Sequence, residues 1–398
     1  MIPVGEAQSR ILAALTPVGA ETVGLDRADG RTLAADVTAA LTQPPAPVSA
    51  MDGYAVRAAD LAALPATLTR IGQAPAGHPF AGRVDPGECV RIFTGGQVPE
   101  GADAILIQED AEERDGKVHA KESVAPGRYV RPAGLDFKAG DVVLRAGTVL
   151  DPRHIGLAAA ANRAWLEVRR APRVAILATG DEIVLPGSVP GPGQIVSSNG
   201  PALAAFVRRH GGEAIMLPNA PDDADALRGL AKAAAGADLL VTSGGASVGE
   251  HDLIRSALGS DGLKLDFWQI AMRPGKPLMF GKLGALPLLG LPGNPVSNLV
   301  CATLFLGPML AALLGRPDPL PKPEAAILGR DLPPNDARED YLRATLARAA
   351  DGAWIATPFE KQDSSMISIV ARADALAIRP PRAPAAQKGE PIRILRFV

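Results

Sequence analysis

Cysteine is nearly missing from this chain. Its 398 residues include two, Cys89 and Cys301. They lie far apart with no CxxC spacing, which argues against a zinc centre or a disulfide framework and suits a reducing, cytoplasmic setting. Each reads most simply as a small buried hydrophobe. An excess of one charge is missing too: 41 Lys and Arg against 43 Asp and Glu leave a formal net charge of -2. That balance gives no electrostatic case for a nucleic acid or an anionic membrane surface, so any basic site must be local. No GxGxxG follows the first strand of the α/β part and no GxxxxGK[ST] occurs anywhere, so neither a Rossmann dinucleotide site nor a Walker phosphate loop is supported. Of five histidines only His251 falls in a candidate loop, and no serine pairs with a histidine by motif, so no nucleophilic triad is expected. Internal repeats and low-complexity tracts other than Pro-rich linkers are likewise lacking.

Long apolar runs are lacking as well, with one exception. Residues 283–315 carry no charge, but Pro287, Pro292, Gly293, Asn294, Pro295 and Pro308 divide them into strand, loop and buried helix, and no membrane span is expected. The start, MIPVGEAQSRILAAL, has Glu6 and Arg10 where a signal peptide needs an apolar core; residues 4–15 read as an amphipathic helix.

A chain of this length with 47% hydrophobic residues exceeds one ordinary core, and several domains are expected. Pro44, Pro45 and Pro47 stiffen the approach to a region of short alternating runs (GECVRIFTGG, ADAILIQED, DVVLRAGTVL) that reads as mostly β. DPRHIGLAAAA reads as a helix capped by Asp151 with Pro152 at its first position. It is expected to pack beside the N-terminal helix in a discontinuous linking domain, 1–43 plus 142–172, which brackets the β domain, 44–141. Residues 173–317 alternate apolar strands with helical segments, as in a mainly parallel α/β sheet covered on both faces. Residues 318–398 return to short strands (YLRATLA, WIATPF, PIRILRFV), a small barrel-like β domain. The fold class is thus multidomain α/β plus β.

In open α/β sheets ligands sit beyond the carboxyl ends of the strands, and the residues placed there carry chemistry. ILATGDEI puts Thr179, Gly180 and Glu182 after one strand; LLVTSGGASVGEHD puts Ser243, Gly244, Gly245, Ser247 and Asp252 after another; LLGLPGNPVS puts Pro292, Gly293, Asn294, Pro295 and Ser297 after a third. One glycine-bearing loop is mostly turn geometry. Three on one rim make a place where backbone N–H groups and helix N-termini hold an anion. Glu182, Asp252 and Asp222, which opens the DDADALR segment, bring carboxylates to that rim, and hard oxygens beside an anion suit Mg²⁺, with Glu182 and Asp252 as its ligands. For Asp222 plain helix capping is an equal reading. AMRPGKPLMFGK supplies Arg273 and Lys276 around a Pro-Gly turn, where they could hold phosphate or other oxyanion oxygens; the alternative is a solvated hairpin. Asp52 in SAMDGYAV and Thr94 in RIFTGGQVP sit at turn-like bends, and locally a structural and a functional role are equally open.

Taken in order and spacing, SAMDGYA, FTGG, TGDE, TSGGASVGEHD, PGKP and LPGNPVS resemble the molybdopterin molybdenumtransferase family over essentially the whole chain. The resemblance implies an elongated four-domain subunit with a molybdopterin-binding-like α/β domain. It implies a homodimer whose active cleft lies between the α/β domain of one chain and the β domain of the other. By motif correspondence Asp52, Thr94, Asp136 in GLDF, Glu182, Asp222 and Asp252 match positions associated with that cleft, and Ser364 and Ser365 in KQDSSM resemble a serine-containing loop. The implied reaction inserts molybdate into adenylated molybdopterin, opening the phosphoanhydride and releasing AMP and molybdenum cofactor. A hand-over from an adenylyltransferase and on to molybdoenzymes is implied with it. Gln269 and Arg273 stand where the family often has lysine; Arg273 keeps the charge and Gln269 does not.

Two other readings compete. A molybdopterin adenylyltransferase would use the shared α/β domain but leave SAMDGYA and FTGG unexplained. A non-catalytic carrier of the finished cofactor would have little use for Asp52, Glu182 and Asp252.

Overall fold

The computed structural model describes residues 1–244, 253–259 and 261–397. Its centre is a six-stranded sheet in the order Glu213–Met216, Arg173–Ala178, Leu239–Ser243, Leu286–Leu291, Met279–Leu283, Leu263–Phe267. The first four strands are parallel; the fifth runs antiparallel to both neighbours. Alternation along Arg173–Ala178 explains why helices cover both faces: Val174 and Ile176 enter one core, Ala175 and Leu177 the other. A strand buried on both sides reads as the continuous apolar run RVAILA. The first core takes the helices Asn199–Arg209 and Pro295–Cys301, the second takes Ala224–Ala233 and Leu253–Gly259.

The helix begun at Pro295 widens into a π-helical turn at Ala302–Leu306 and continues as Gly307–Leu313. By length and composition it could cross a membrane, yet 83% of its apolar stretch is buried inside this protein. Part of its cover is the N-terminal helix Val4–Ala13, whose Val4, Ala7 and Ile11 join the same core as Leu306, Met309, Leu310 and Leu313. Gln8 Nε2 also donates to Leu304 O at 3.0 Å. This corrects the expectation that the N-terminal helix packs beside the one that Asp151 caps. An apolar i, i+3, i+7 stripe buries against whichever surface is most apolar, and here that is the uncharged helix.

The Asp151-capped helix, Pro152–Ala160, is formed as the sequence indicates, with Asp151 accepting from the Arg153 and His154 backbone amides. It packs on a separate small core with Val23, Leu33, Val37 and Leu166. Around it two distant pieces of chain pair as strands: Ala20–Gly24 with Trp165–Arg169, and Val37–Thr38 with Val142–Leu144.

Between those pieces lies a second six-stranded sheet, ordered Ala104–Ile107, Gly53–Val56, Glu88–Ile92, Ala66–Ala74, Lys117–Ala120, Ala111–Arg114. At the other end of the chain five strands close into a barrel: Glu339–Arg348, Trp354–Pro358, Glu324–Leu328, Pro391–Arg396 and Ala375–Arg379, the last pairing back onto the first. The short strand Met272–Arg273 runs parallel to Glu339 and Asp340, stitching the barrel to the α/β region. The architecture is multidomain α/β plus β, as the pattern of elements implied.

Candidate active site

Three strand ends define the site. Ala178 lies opposite Ser243, and Ser243 opposite Leu291, so these strands stop at one level. The chain order reverses here too: from the strand Arg173–Ala178 the connections lead first to one side, then to the other, the crevice where open α/β sheets bind ligands. The loops beyond it surround a cleft of about 980 Å³. Thr179, Gly180, Glu182, Asp222, Ser243 and Gly244 line one part of it. Lys276, Pro292, Gly293, Asn294, Pro295 and Ser297 line another, and Ser364 and Ser365 reach in from the barrel. Residues 245–252, with Gly245, Ser247 and Asp252, lie outside the described residues.

The strand ends approach so closely that side chains would not fit. Gly244 has φ +94, and a Cβ there would stand 2.7 Å from Thr179 O. Gly180, at φ +133, leaves room for the Glu182 carboxylate, whose Oε2 would be 2.3 Å from a Cβ. Glycine at these positions reflects backbone geometry and space together.

Amide side chains tie the floor. Asn199 Nδ2 donates to Ser243 Oγ (2.9 Å) and Gly293 O (2.7 Å). Asn298 Nδ2 donates to Ser243 Oγ (3.0 Å) and Pro292 O (3.1 Å). Neither asparagine stands out in the sequence. Thr179 Oγ1 is buried with no partner among the described residues, leaving one hydroxyl of the lining unengaged.

The carboxylates divide their work. Asp223, not Asp222, caps the helix Ala224–Ala233 by accepting from Ala226 N at 2.8 Å. Asp222 instead lines the cleft, its backbone N–H held by Asp181 Oδ1 at 3.0 Å. The capping reading of Asp222 therefore moves one residue along the chain.

The two expected cations part company. Lys276 is half-buried and lines the cleft. The Arg273 guanidinium instead pairs with Asp340, with Asp336 at 3.5 Å, both in the barrel. Asp340 is only 3% exposed, which makes this pair a clamp between regions more than a ligand contact. No sequence signal marks Arg338, which lines the cleft while donating to Asp336 at 2.6 Å. It was indistinguishable from other charged residues of the tail. The barrel loop is docked by its own bonds: Asn294 Nδ2 donates to Ser364 Oγ (3.0 Å), Val296 N to Ser364 O (3.1 Å), and Ser365 N and Oγ to Asp363 Oδ1 (2.8 and 2.7 Å).

Asp52, Thr94 and Asp136 do not line this cleft. Asp52 Oδ1 accepts from Thr94 N (2.7 Å) and Thr94 Oγ1 (2.8 Å), which together hold its pKa below the usual carboxylate value, with Arg91 adding to the effect. Arg91 lies over the rings of Tyr54 and Phe93, 5.0 and 5.2 Å from their centroids, and donates to Gln108. Asp136 is exposed and lines a second, more open cleft of about 710 Å³ with Gln43, Gly95, Gln97 and Arg131. Within one chain the chemistry-bearing residues thus fall into two groups.

Known proteins share this architecture. Residues 2–162 match the model of the MoeA N-terminal region (domain I and II), 175–312 that of a probable molybdopterin binding domain, and 325–397 that of the MoeA C-terminal region (domain IV). The chain belongs to the MoeA family of molybdopterin molybdenumtransferases. It is 37% identical over 339 residues to molybdopterin molybdenumtransferase 2 of Mycobacterium tuberculosis, covering 83% of this chain and 84% of that one. It is 32% identical over 403 residues to the Bacillus subtilis molybdopterin molybdenumtransferase, covering 99% and 94%. The crystal structure of the molybdopterin biosynthesis MoeA protein from Pyrococcus horikoshii superimposes with a TM-score of 0.87 at 31% identity, covering 100% of this chain and 99% of that one. The MoeA resemblance thus extends from motifs to the full fold.

Proposed function

We propose that this MoeA-family chain inserts molybdate into adenylated molybdopterin, with release of AMP and molybdenum cofactor. The observation that carries the reading is the cleft built on three strand ends in register and closed by the barrel loop. It offers backbone amides, oriented side-chain donors and Lys276 together with the Glu182 and Asp222 carboxylates. Such a lining binds a phosphorylated ligand through its anionic oxygens and leaves acidic groups for the reacting centre. In the reaction the phosphoanhydride opens with addition of one water, AMP departs and the pterin keeps its own phosphate; molybdate bonds to the two dithiolene sulfurs, and one of its oxygens leaves as water with the two thiol protons. Lys276 and Arg338 offset charge building on the phosphate oxygens, and Thr179 Oγ1 has a donor to spare.

The donor set suits Mg²⁺. Among the described residues no three His, Cys, Asp or Glu side chains converge on one point, so an all-protein cage is not formed there. Mg²⁺ commonly takes one or two carboxylates and fills its shell with water and phosphate oxygens. Glu182 would hold it, with Asp252 as the second ligand proposed from the sequence. When bound, the ion supplies charge neutralisation on the phosphate.

The site is completed by a second copy. Asp52, Thr94 and Asp136 lie outside the first cleft of their own chain, and a homodimer that sets the β sheet of one subunit against the α/β cleft of the other unites the two groups. The setting is cytoplasmic, in keeping with two buried, unpaired thiols. Substrate then arrives from an adenylyltransferase and product leaves to molybdoenzymes. AMP release from adenylated molybdopterin with Mg²⁺ and molybdate tests the proposal. Molybdate-dependent release by the wild type, lost in Glu182→Ala and in Asp52→Ala, is the expected result; tight cofactor binding without AMP would overturn it in favour of a carrier.

A further inference from the structure

Ser243 closes the central strand of the sheet at the floor of the cleft, and its side chain is buried. Its oxygen accepts two hydrogen bonds, from Asn199 and from Asn298. The polarity of both bonds is fixed by third parties. Asn199 Nδ2 also faces Gly293 O, and Asn298 Nδ2 also faces Pro292 O. A carbonyl oxygen only accepts, so each amide must turn its NH₂ group, not its oxygen, toward the floor. A serine oxygen has two lone pairs and one proton. With both lone pairs taken, Ser243 has a proton that no described residue accepts.

We infer that Ser243 presents a fixed O–H donor to an anionic oxygen of the bound ligand, and that Asn199 and Asn298 are positioning residues that set its direction. The inference rests on the proposed reaction for its ligand and deepens the account of that site. The arrangement differs from ordinary serine solvation, because a hydroxyl free to rotate loses orientation entropy when it binds, whereas this one is pre-set. It also ties two helices and a loop together around one atom. Asn199 starts the helix Asn199–Arg209, Asn298 lies in the helix begun at Pro295, and Gly293 and Pro292 belong to the third strand-end loop. The acceptor is a tetrahedral oxyanion oxygen, which both the substrate phosphate and molybdate provide.

Equilibrium binding to the intact protein tests this without turnover, using adenylated molybdopterin in the absence of molybdate and, separately, molybdate alone. Ser243→Ala is expected to raise the Kd of one probe about tenfold to a hundredfold, the range for a lost hydrogen bond to a charged acceptor, and the probe affected identifies the oxyanion. Asn199→Ala should weaken the same probe less. In Asn199→Asp the carboxylate accepts the Ser243 proton and draws it out of the cleft, so its loss should exceed that of Asn199→Ala and shrink markedly in a Ser243→Ala background. A purely structural Asn199 would give the same Asp penalty in both backgrounds, and that result, or an unchanged Kd for both probes in Ser243→Ala, overturns the inference. Asn199 is half-buried and Ser243→Ala removes one oxygen, so both variants are expected to fold, which thermal unfolding verifies. Wild-type binding without AMP release would sink the insertase reading while leaving the hydroxyl tested; no wild-type binding at all overturns both.

Discussion

The α/β cleft and the Asp52 face of the β sheet both carry carboxylates and sequence motifs, yet they are built in opposite ways. Around the cleft, donors are left over: the Thr179 hydroxyl has no partner among the described residues, and the Ser243 proton has no described acceptor. On the β sheet the acid is already served by both donors of Thr94. The first is shaped to receive an anion and the second keeps one carboxylate ionised. A leftover donor in a wall calls for an acceptor, while two donors on one carboxylate stabilise its charged form.

The largest effect should come from separating the two regions. Asp52→Ala and Glu182→Ala are each expected to lower AMP release more than about a hundredfold, with little change in thermal stability because both residues lie in solvent-accessible positions. Mixing the two variants under subunit exchange should restore about one quarter of wild-type activity, since half the dimers are mixed and each holds one intact site. No recovery in a mixture shown to exchange would mean that the two regions do not share a site across subunits.

Next is Gly180→Ala. A Cβ at φ +133 both strains the backbone and displaces the Glu182 carboxylate, and roughly tenfold to a hundredfold loss of AMP release should follow from misplacement of about 1 Å. Unchanged kinetics would show that Glu182 does not act from that position. Arg273→Ala probes the clamp. It strands the buried Asp340 carboxylate, whose Oδ1 already has no partner among the described residues, and stability should fall by about 2 kcal/mol, less than for a fully buried pair because Arg273 is half exposed. Denaturant unfolding measures it, and an unchanged midpoint would return Arg273 to the list of ligand contacts.

The smallest effect concerns Thr94→Ala, which removes one of the two donors to Asp52 and leaves the backbone amide. The sign is clear: the folded pKa of Asp52 is depressed, so it stays ionised as pH falls through the usual carboxylate range. Thr94→Ala raises that pKa toward its ordinary value, and the acid limb of the activity profile should move to higher pH. An unmoved limb would separate Asp52 ionisation from the reaction.

Much of this was readable in the chain. The three loops around the cleft follow apolar strands, and two of them carry glycine, Gly180 and Gly244, where a side chain has no room; both features are local. Asp151, Pro152 and the short strands of the barrel are local signals as well. Arg338, Asn199 and Asn298 were not readable, because a polar residue in a helix or a tail looks alike whether it faces solvent or a site. The apolar stripe of the N-terminal helix was visible, but not the surface it would meet.

The sequence by itself determined the order of strands and helices, the glycines at the rim and the acids available near it, since propensity, periodicity and turn chemistry act over a few residues. Only the tertiary structure decided that Arg273 clamps the barrel while Arg338 faces the cleft, that Asp223 caps and Asp222 is released, and that two asparagines fix one serine. Apart from the local Asp223 cap, those outcomes depend on contacts between residues tens of positions apart, which form only when the strand-end loops, the helices and the barrel are packed together.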